Sequence, residues 1–353
     1  MAVNKPSIFD FEYSDITEFV NSEREPSYRA EQIWQGLYKN LWQNPASFSS
    51  LPASFKNKLS EIYTFSRLTP INQITSKDNQ TTKVLFRLPD QKTIETVLMS
   101  YNKRRTLCIS TQVGCAMGCV FCATGQMGYA RNLSSGEIVE QVLFFIRNLA
   151  ETQQKLTHIV VMGMGEPFHN YDAMMEAIDR LNHKQGLNFG ARRFTISTVG
   201  IAPAIKKFAG ENRQVNLAVS LHAADDQLRS SLLPINRKYP LDELLDACKF
   251  YVSTTRRRIS FEWALINEVN DDQIQADLLA KKISGILCHV NLILLNPTRS
   301  YPGKAGSQSK AVAFKSRLEQ HGIPCSIRLR RGIDIRAGCG QLASKESSSS
   351  IDL

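Results

Sequence analysis

From residue 106 onward, short apolar, β-rich runs alternate with stretches of helical period, and this alternation restricts the fold more than any other feature. Strand candidates lie at residues 106–110, 158–162, 193–197, 215–220, 259–265 and 290–295, with a further one at 325–329. Amphipathic stretches fall between them at 135–149, 173–181, 241–252, 274–283 and 309–320. Strands separated by helices pair in parallel and carry the crossover helices on the outside. Six or seven such units make an α/β chain that suits a partial (β/α)6 TIM-type barrel better than a two-layer Rossmann sheet. No G-x-G-x-x-G or G-x-x-x-x-G-K-S/T occurs, so dinucleotide and P-loop readings have no local support. Polar and small residues follow the strands: Gly163 to Glu166, Thr198 to Gly200, His222 and Asn296. In a parallel barrel these positions ring the C-terminal mouth, where chemistry is placed.

The residues before the barrel differ in character. Residues 16–59 read as helical, with a helix entry at Pro26-Ser27-Tyr28-Arg29 followed by Ile33, Leu37, Tyr38 and Leu41, and a second helix is expected at 53–63. Residues 82–86 and 94–98 alternate around a Pro89-Asp90-Gln91 turn and read as a β-hairpin. The expected organisation is an N-terminal helical accessory domain at 1–65, a β-hairpin extension at 66–100, the barrel core at 101–342 and a disordered polar tail at 343–353.

No apolar run reaches the ~18–20 residues that cross a bilayer. The N-terminus shows no basic segment leading into an apolar one, so no secretory signal is visible and a cytoplasmic setting is expected. In that setting the eight cysteines are read as metal or redox chemistry rather than a disulfide scaffold. Lys and Arg number 43 against 33 Asp and Glu, and the formal charge of +10 points to a polyanionic partner such as nucleic acid.

The strongest local signal is Cys115-Ala-Met-Gly-Cys119-Val-Phe-Cys122, directly after the first barrel strand. Three thiolates at this spacing can wrap one corner of an iron–sulfur cube and leave one iron open to a ligand. A structural zinc with Cys108 or His222 as fourth ligand, or three core thiols, are the alternatives.

With its surroundings, this text resembles the radical S-adenosylmethionine superfamily, and within it the RNA adenine methyltransferases of the RlmN/Cfr family. The resemblance rests on Cys108 through Leu133, Met162 to Pro167, Ser197 to Gly200, Ser220-Leu221-His222, Pro234 to Asn236, Asn296-Pro297 and Ala337 to Leu342. It implies a radical SAM barrel in which Cys115, Cys119 and Cys122 hold a 4Fe-4S cluster whose open iron chelates S-adenosylmethionine, which on reduction yields a 5′-deoxyadenosyl radical. Gly165 and Glu166 match the position that holds the methionine ammonium, and Ser197, Ser220, Leu221, His222 and Asn296 match the other cofactor contacts. Cys339 matches the cysteine that is methylated and then, as a methylene radical, joins the adenine. Cys108 matches the thiol that resolves the resulting protein–RNA thioether, leaving a transient Cys108–Cys339 disulfide, and Glu95 matches the proton acceptor. Judged without that context, Cys108 reads as a small buried hydrophobe, Glu95 as a solvent-facing hairpin residue and His222 as a hydrogen-bonded strand-end histidine. Cys248, Cys288 and Cys325 match nothing and are expected to be structural thiols.

The implied activity is methylation of adenosine carbon 2 in the peptidyl-transferase loop of large-subunit rRNA and, in dual-specificity members, beside the tRNA anticodon. An electron donor such as flavodoxin or ferredoxin and a monomeric state go with it. A carbon-8 enzyme of the Cfr type is the near alternative, and the stretches Tyr301 to Ala305 and Arg336-Ala-Gly depart from the usual text. From another class, a non-catalytic RNA-binding protein with a structural metal site would need neither Cys108 nor Cys339. Phosphate contacts are expected from residues 103–105, Arg131, 192–193, 206–207, 256–258, Arg328 and 330–331, several of them flanking the mouth, and RNA contacts from Tyr28, Arg29, Trp34 and Lys39.

Overall fold

Each of the seven apolar runs becomes a strand, and the seven lie side by side in parallel. The computed structural model describes residues 5–343, so the expected tail from Ser344 onward lies outside the described residues. Three helices come first: α1 (Tyr13–Ser22), α2 (Tyr28–Tyr38) and α3 (Ala53–Ile62). An antiparallel meander follows, β1 (Thr69–Thr75), β2 (Thr81–Arg87) and β3 (Thr93–Ser100). The expected hairpin is β2–β3; β1 is largely exposed on both faces, so its sequence carried no alternation to betray it.

The barrel then runs β4 (Arg105–Cys108), β5 (Gln112–Gly114), α4 (Ala123–Gln126), β6 (Tyr129–Asn132), α5 (Ser135–Glu151) and β7 (His158–Val161). Next come α6 (Tyr171–Asn182), β8 (Phe194–Thr198), α7 (Ala202–Gly210), β9 (Asn216–Ser220), α8 (Asp226–Leu232) and α9 (Leu241–Thr255). It closes with β10 (Ile259–Leu265), α10 (Gln273–Ile283), β11 (Cys288–Leu294), α11 (Gln308–Gln320) and β12 (Cys325–Ile327). The sheet order is β1-β2-β3-β4-β7-β8-β9-β10-β11-β12, with β5 and β6 forming a separate ribbon. The meander therefore extends the barrel sheet, because β3 pairs antiparallel with β4 and sets Val97 opposite Cys108.

The strands are apolar because helices cover one face and the barrel interior the other. Ile196, Phe194, Val219, Phe261, Trp263, Val290 and Leu292 are fully buried. Each such side chain contributes ~2 kcal/mol of transfer free energy. Helix α5 starts at a capping box in which the Ser134 hydroxyl accepts from Glu137 N–H and the Glu137 carboxylate accepts from Ser134 N–H. It also anchors the N-terminal segment. Asp10 accepts from Gly136 N–H at 2.7 Å, and buried Glu140 accepts from Arg67 N–H, Leu68 N–H and the Ser7 hydroxyl. Trp34, expected to meet RNA, is core instead: it is buried against Tyr13, Tyr38 and His183. Tyr28 and Lys39 are exposed.

Candidate active site

The residues expected to bind a cofactor gather at the C-terminal ends of the parallel strands. Ser197 is the penultimate residue of β8, Ser220 ends β9, and Gly165-Glu166 and Asn296 follow β7 and β11 closely. The cysteine loop between β5 and α4 lies over the same end. Cys115 N–H donates to Gly128 O at 2.8 Å, Val120 N–H to Leu232 O at 3.1 Å, and Ala123 N–H to Gly340 O at 2.7 Å.

Three buried groups shape this end. Glu166 accepts from Val199 N–H at 2.9 Å and Phe168 N–H at 3.1 Å, tying the β7 and β8 loops together. Burial pushes its carboxyl up to about 7, against the pull of those hydrogen bonds, and its charge in turn raises the Cys115 and Cys119 thiols. Gly165, at φ +104, permits the approach: a Cβ there would stand 2.6 Å from Gln112 Cβ. His222 accepts a hydrogen bond at Nδ1 from Ala264 N–H at 2.9 Å, and a backbone amide can only donate. Its neutral ring therefore carries the proton on Nε2, and burial lowers its pKa to about 3.

Cys339 arrives from the far end of the chain. Asn296 Nδ2 donates to Cys339 O at 3.1 Å, Gln341 Nε2 to Pro297 O at 3.0 Å, and Thr124 Oγ1 to Leu342 O at 2.7 Å. Gly338 fits here because a Cβ would press within 2.6 Å of Asn296 Nδ2. Cys339 stays accessible in the concave mouth, yet the surrounding protein raises its thiol pKa, while Arg328 pulls it down. Buried Cys108 is close enough that a charge on Cys339 raises its pKa, which burial raises most and Arg328 lowers. Glu95 shares the Cys108 face of the sheet. It is buried, pairs with Lys83 at 2.8 Å, and accepts from Ala343 N–H at 2.8 Å. The solvent-facing role that the hairpin pattern alone assigns to Glu95 is overturned by the meander's burial in the barrel sheet.

All eight cysteines are free, so the Cys108–Cys339 disulfide that the resemblance implies is absent from this structure.

The structure adds residues that sequence reading missed or misplaced. Arg229 on α8 is fully buried and donates to Leu221 O, Ser220 O, Val199 O and Asn236 Oδ1, at 2.6–3.2 Å. Burial lowers its pKa only to about 10, so it is charged at neutral pH and clamps the β8 and β9 ends beneath the cysteine loop. Arg229→Met would keep the bulk and strand those acceptors, so we expect a loss of about 3 kcal/mol, read as a lower urea midpoint. An unchanged midpoint would show that the clamp is dispensable. Arg328, expected to face phosphate, instead turns into the barrel, with Nη2 at 3.5 Å from Glu262 Oε1. Glu262 also accepts from Asn291 Nδ2 at 2.9 Å, and its Oε2 has no hydrogen-bond partner among the described residues. No signal marked Glu262, a lone carboxylate in an apolar strand.

The donor set suits an iron–sulfur cluster with a chelating cofactor. Burial above all, with the neighbouring cysteines adding to it, pushes the Cys115 thiol up to about 12 and Cys119 well above its ordinary value, and a cationic cluster would relieve that cost. Asn296 Oδ1 is buried at the same end with no hydrogen-bond partner among the described residues. Among the described residues, no group of three or more His, Cys, Asp or Glu is already drawn together around a metal ion, the three loop cysteines included, so the cluster assignment rests on their spacing and on the fold.

Fold and site together define a radical S-adenosylmethionine protein, and the Radical SAM superfamily model matches residues 109–279. Proteins of that superfamily use a 4Fe-4S cluster and S-adenosylmethionine. A protein of Chloroflexus aurantiacus named "Probable dual-specificity RNA methyltransferase RlmN" is 45% identical over 98% of this chain and 95% of its own. The Myxococcus xanthus "Dual-specificity RNA methyltransferase RlmN 1" is 46% identical over 89% of this chain and 88% of its own. A solved radical SAM methyltransferase from Sphaerobacter thermophilus superposes with TM-score 0.94 at 46% identity, covering 96% of this chain and all of that one. The chain belongs to the RlmN family of radical SAM RNA methyltransferases. Among the described residues, no helix is long and apolar enough to cross a membrane.

Proposed function

We propose that this protein methylates carbon 2 of an adenosine in the peptidyl-transferase loop of large-subunit rRNA and in tRNA beside the anticodon. The observation that carries the reading is that Cys339, whose carbonyl is held by Asn296 and whose neighbour Gly340 is held by Ala123 of the cysteine loop, is near enough to Cys108 on β4 for the two thiols to feel each other's charge. A structural metal site needs no such pair. The relatives' dual-specificity names support the two RNA substrates.

In this reading Cys115, Cys119 and Cys122 hold the cluster. Gly165, Glu166, Ser197, Ser220, Leu221, His222 and Asn296 hold S-adenosylmethionine. Bound there, the pair supplies a methyl group and one-electron hydrogen abstraction. Cys339 Sγ accepts the methyl group and presents it at the mouth. Glu95, held by Lys83, takes the proton from the adduct carbon, and the odd electron left on the adduct would return to the cluster that Cys115, Cys119 and Cys122 would hold. Cys108 then attacks the Cys339 sulfur, frees the methylated RNA and leaves a disulfide that an external reductant must reopen. Burial holds both cysteines above the ordinary thiol range, and Arg328 offsets part of that rise. A small electron carrier such as flavodoxin or ferredoxin would reduce the cluster, and the chain would work as a monomer in the cytoplasm.

The test is peptide mass spectrometry of the holoenzyme after anaerobic incubation with S-adenosylmethionine. One methyl group on the peptide carrying Cys339 is expected, and Cys339→Ala should carry none. A methyl group on another residue, or none on the wild-type protein, would refute the assignment.

A further inference from the structure

Three of the basic groups do not sit where an RNA clamp around the mouth would need them. Residues 103–105 lead into β4, 192–193 into β8 and 256–258 into β10. These strands are parallel, so all three groups stand at their N-terminal ends, opposite the cysteine loop. The sheet order β4-β7-β8-β9-β10 makes them neighbours along one rim.

Contacts between them confirm a continuous surface. Arg104 and Arg193 both lower the pKa of His158 at the start of β7, after burial, and Arg258 does the same to His289. Arg192 and Arg257 donate to the same Gln214 oxygen, at 3.1–3.2 Å and 3.0 Å. Arg105 donates to Gln154, Arg104 to Thr106, and Arg257 also to Asn216. These partners are all neutral. Among the described residues none of the eight basic side chains at 103–105, 192–193 and 256–258 joins an ion pair. Arg213 nearby, by contrast, is neutralised by Asp179 and Glu211 and marks the edge of the uncompensated zone.

We infer that this rim is a second RNA-binding surface, taking the phosphate backbone of a duplex segment remote from the target base. The inference rests on the RNA-methyltransferase reading above. Uncompensated arginines that are held in place by neutral groups gain by releasing counterions from a phosphate backbone. An acidic electron carrier fits less well, since it must approach the cysteine loop at the other end. The seven residues of β10 alone separate the two ends by ~20 Å. One RNA can therefore touch both ends only if it is large and folded, and a short stem–loop that fills the mouth would not reach the rim.

The test compares wild-type holoenzyme with the triple variant Arg104→Gln, Arg193→Gln, Arg258→Gln and with the single variant Arg193→Gln. Their Kd is measured across a salt series for a long rRNA fragment containing the target loop and for the isolated stem–loop. For the long fragment the triple variant should lose roughly 2–3 from the slope of log K against log salt, and the single variant about 0.9. Stem–loop binding and reductive S-adenosylmethionine cleavage should match wild type, which separates failure of this inference from failure of the methyltransferase reading. An unchanged long-fragment slope would overturn it, as would equal losses on both RNAs. A slowed reduction by flavodoxin with RNA binding intact would assign the rim to an acidic protein and overturn it too.

Discussion

With Cys108→Ala, RNA should remain covalently bound to the protein after a single turnover, and release of free methylated product should fall by at least about 1,000-fold. The thioether formed at Cys339 can be opened only by a nucleophile that reaches its sulfur, and Cys108 is the thiol that the sheet brings to it from β4. Of the other cysteines, three sit on the loop assigned to the cluster, Cys248 lies on α9, and Cys288 and Cys325 start β11 and β12 at the end away from the mouth. A denaturing gel should show a protein–RNA band that protease removes. Free methylated RNA at the wild-type rate would take Cys108 out of the mechanism. The alanine costs little structurally, since a buried thiol gives way to a smaller apolar group.

Loss of any one of the three loop thiols should be as severe at an earlier step. Anaerobically purified wild-type protein is expected to be brown with about four irons per chain and to cleave S-adenosylmethionine when reduced. Cys115→Ala, Cys119→Ala or Cys122→Ala should leave it colourless and inactive in cleavage. The fold should survive, because Val120 and Ala123 keep the loop on Leu232 and Gly340 through backbone hydrogen bonds that need no cysteine. A colourless wild-type protein holding one tight zinc would contradict the cluster assignment.

How far the sequence could be read depended on whether a feature is local. Strands buried on both faces wrote themselves as apolar runs, and the Cys115–Cys122 spacing is a contiguous signal. The capping box at Ser134 is equally local. Helix α8 is too short to show a period, and β1 presents no buried stripe. Arg229 could not be foreseen because its value lies in carbonyls at Val199, Ser220 and Leu221, which only the fold assembles. The basic pairs were visible as residues but not as a place. Whether Arg192-Arg193 flanks the mouth or the opposite rim depends on strand direction, and the pairs precede their strands. Likewise Trp34, expected among the RNA contacts, is core because it packs against Tyr13 and Tyr38, which only the fold brings to it.

In the proposed reaction this cysteine relay places a methyl group on carbon 2 of adenosine. Nucleoside mass spectrometry of rRNA and tRNA digested after reaction with the reduced holoenzyme tests it most directly. 2-Methyladenosine in both RNAs, absent with Cys339→Ala, is the predicted result; 8-methyladenosine, or no methylated adenosine from an enzyme that cleaves S-adenosylmethionine, would contradict it.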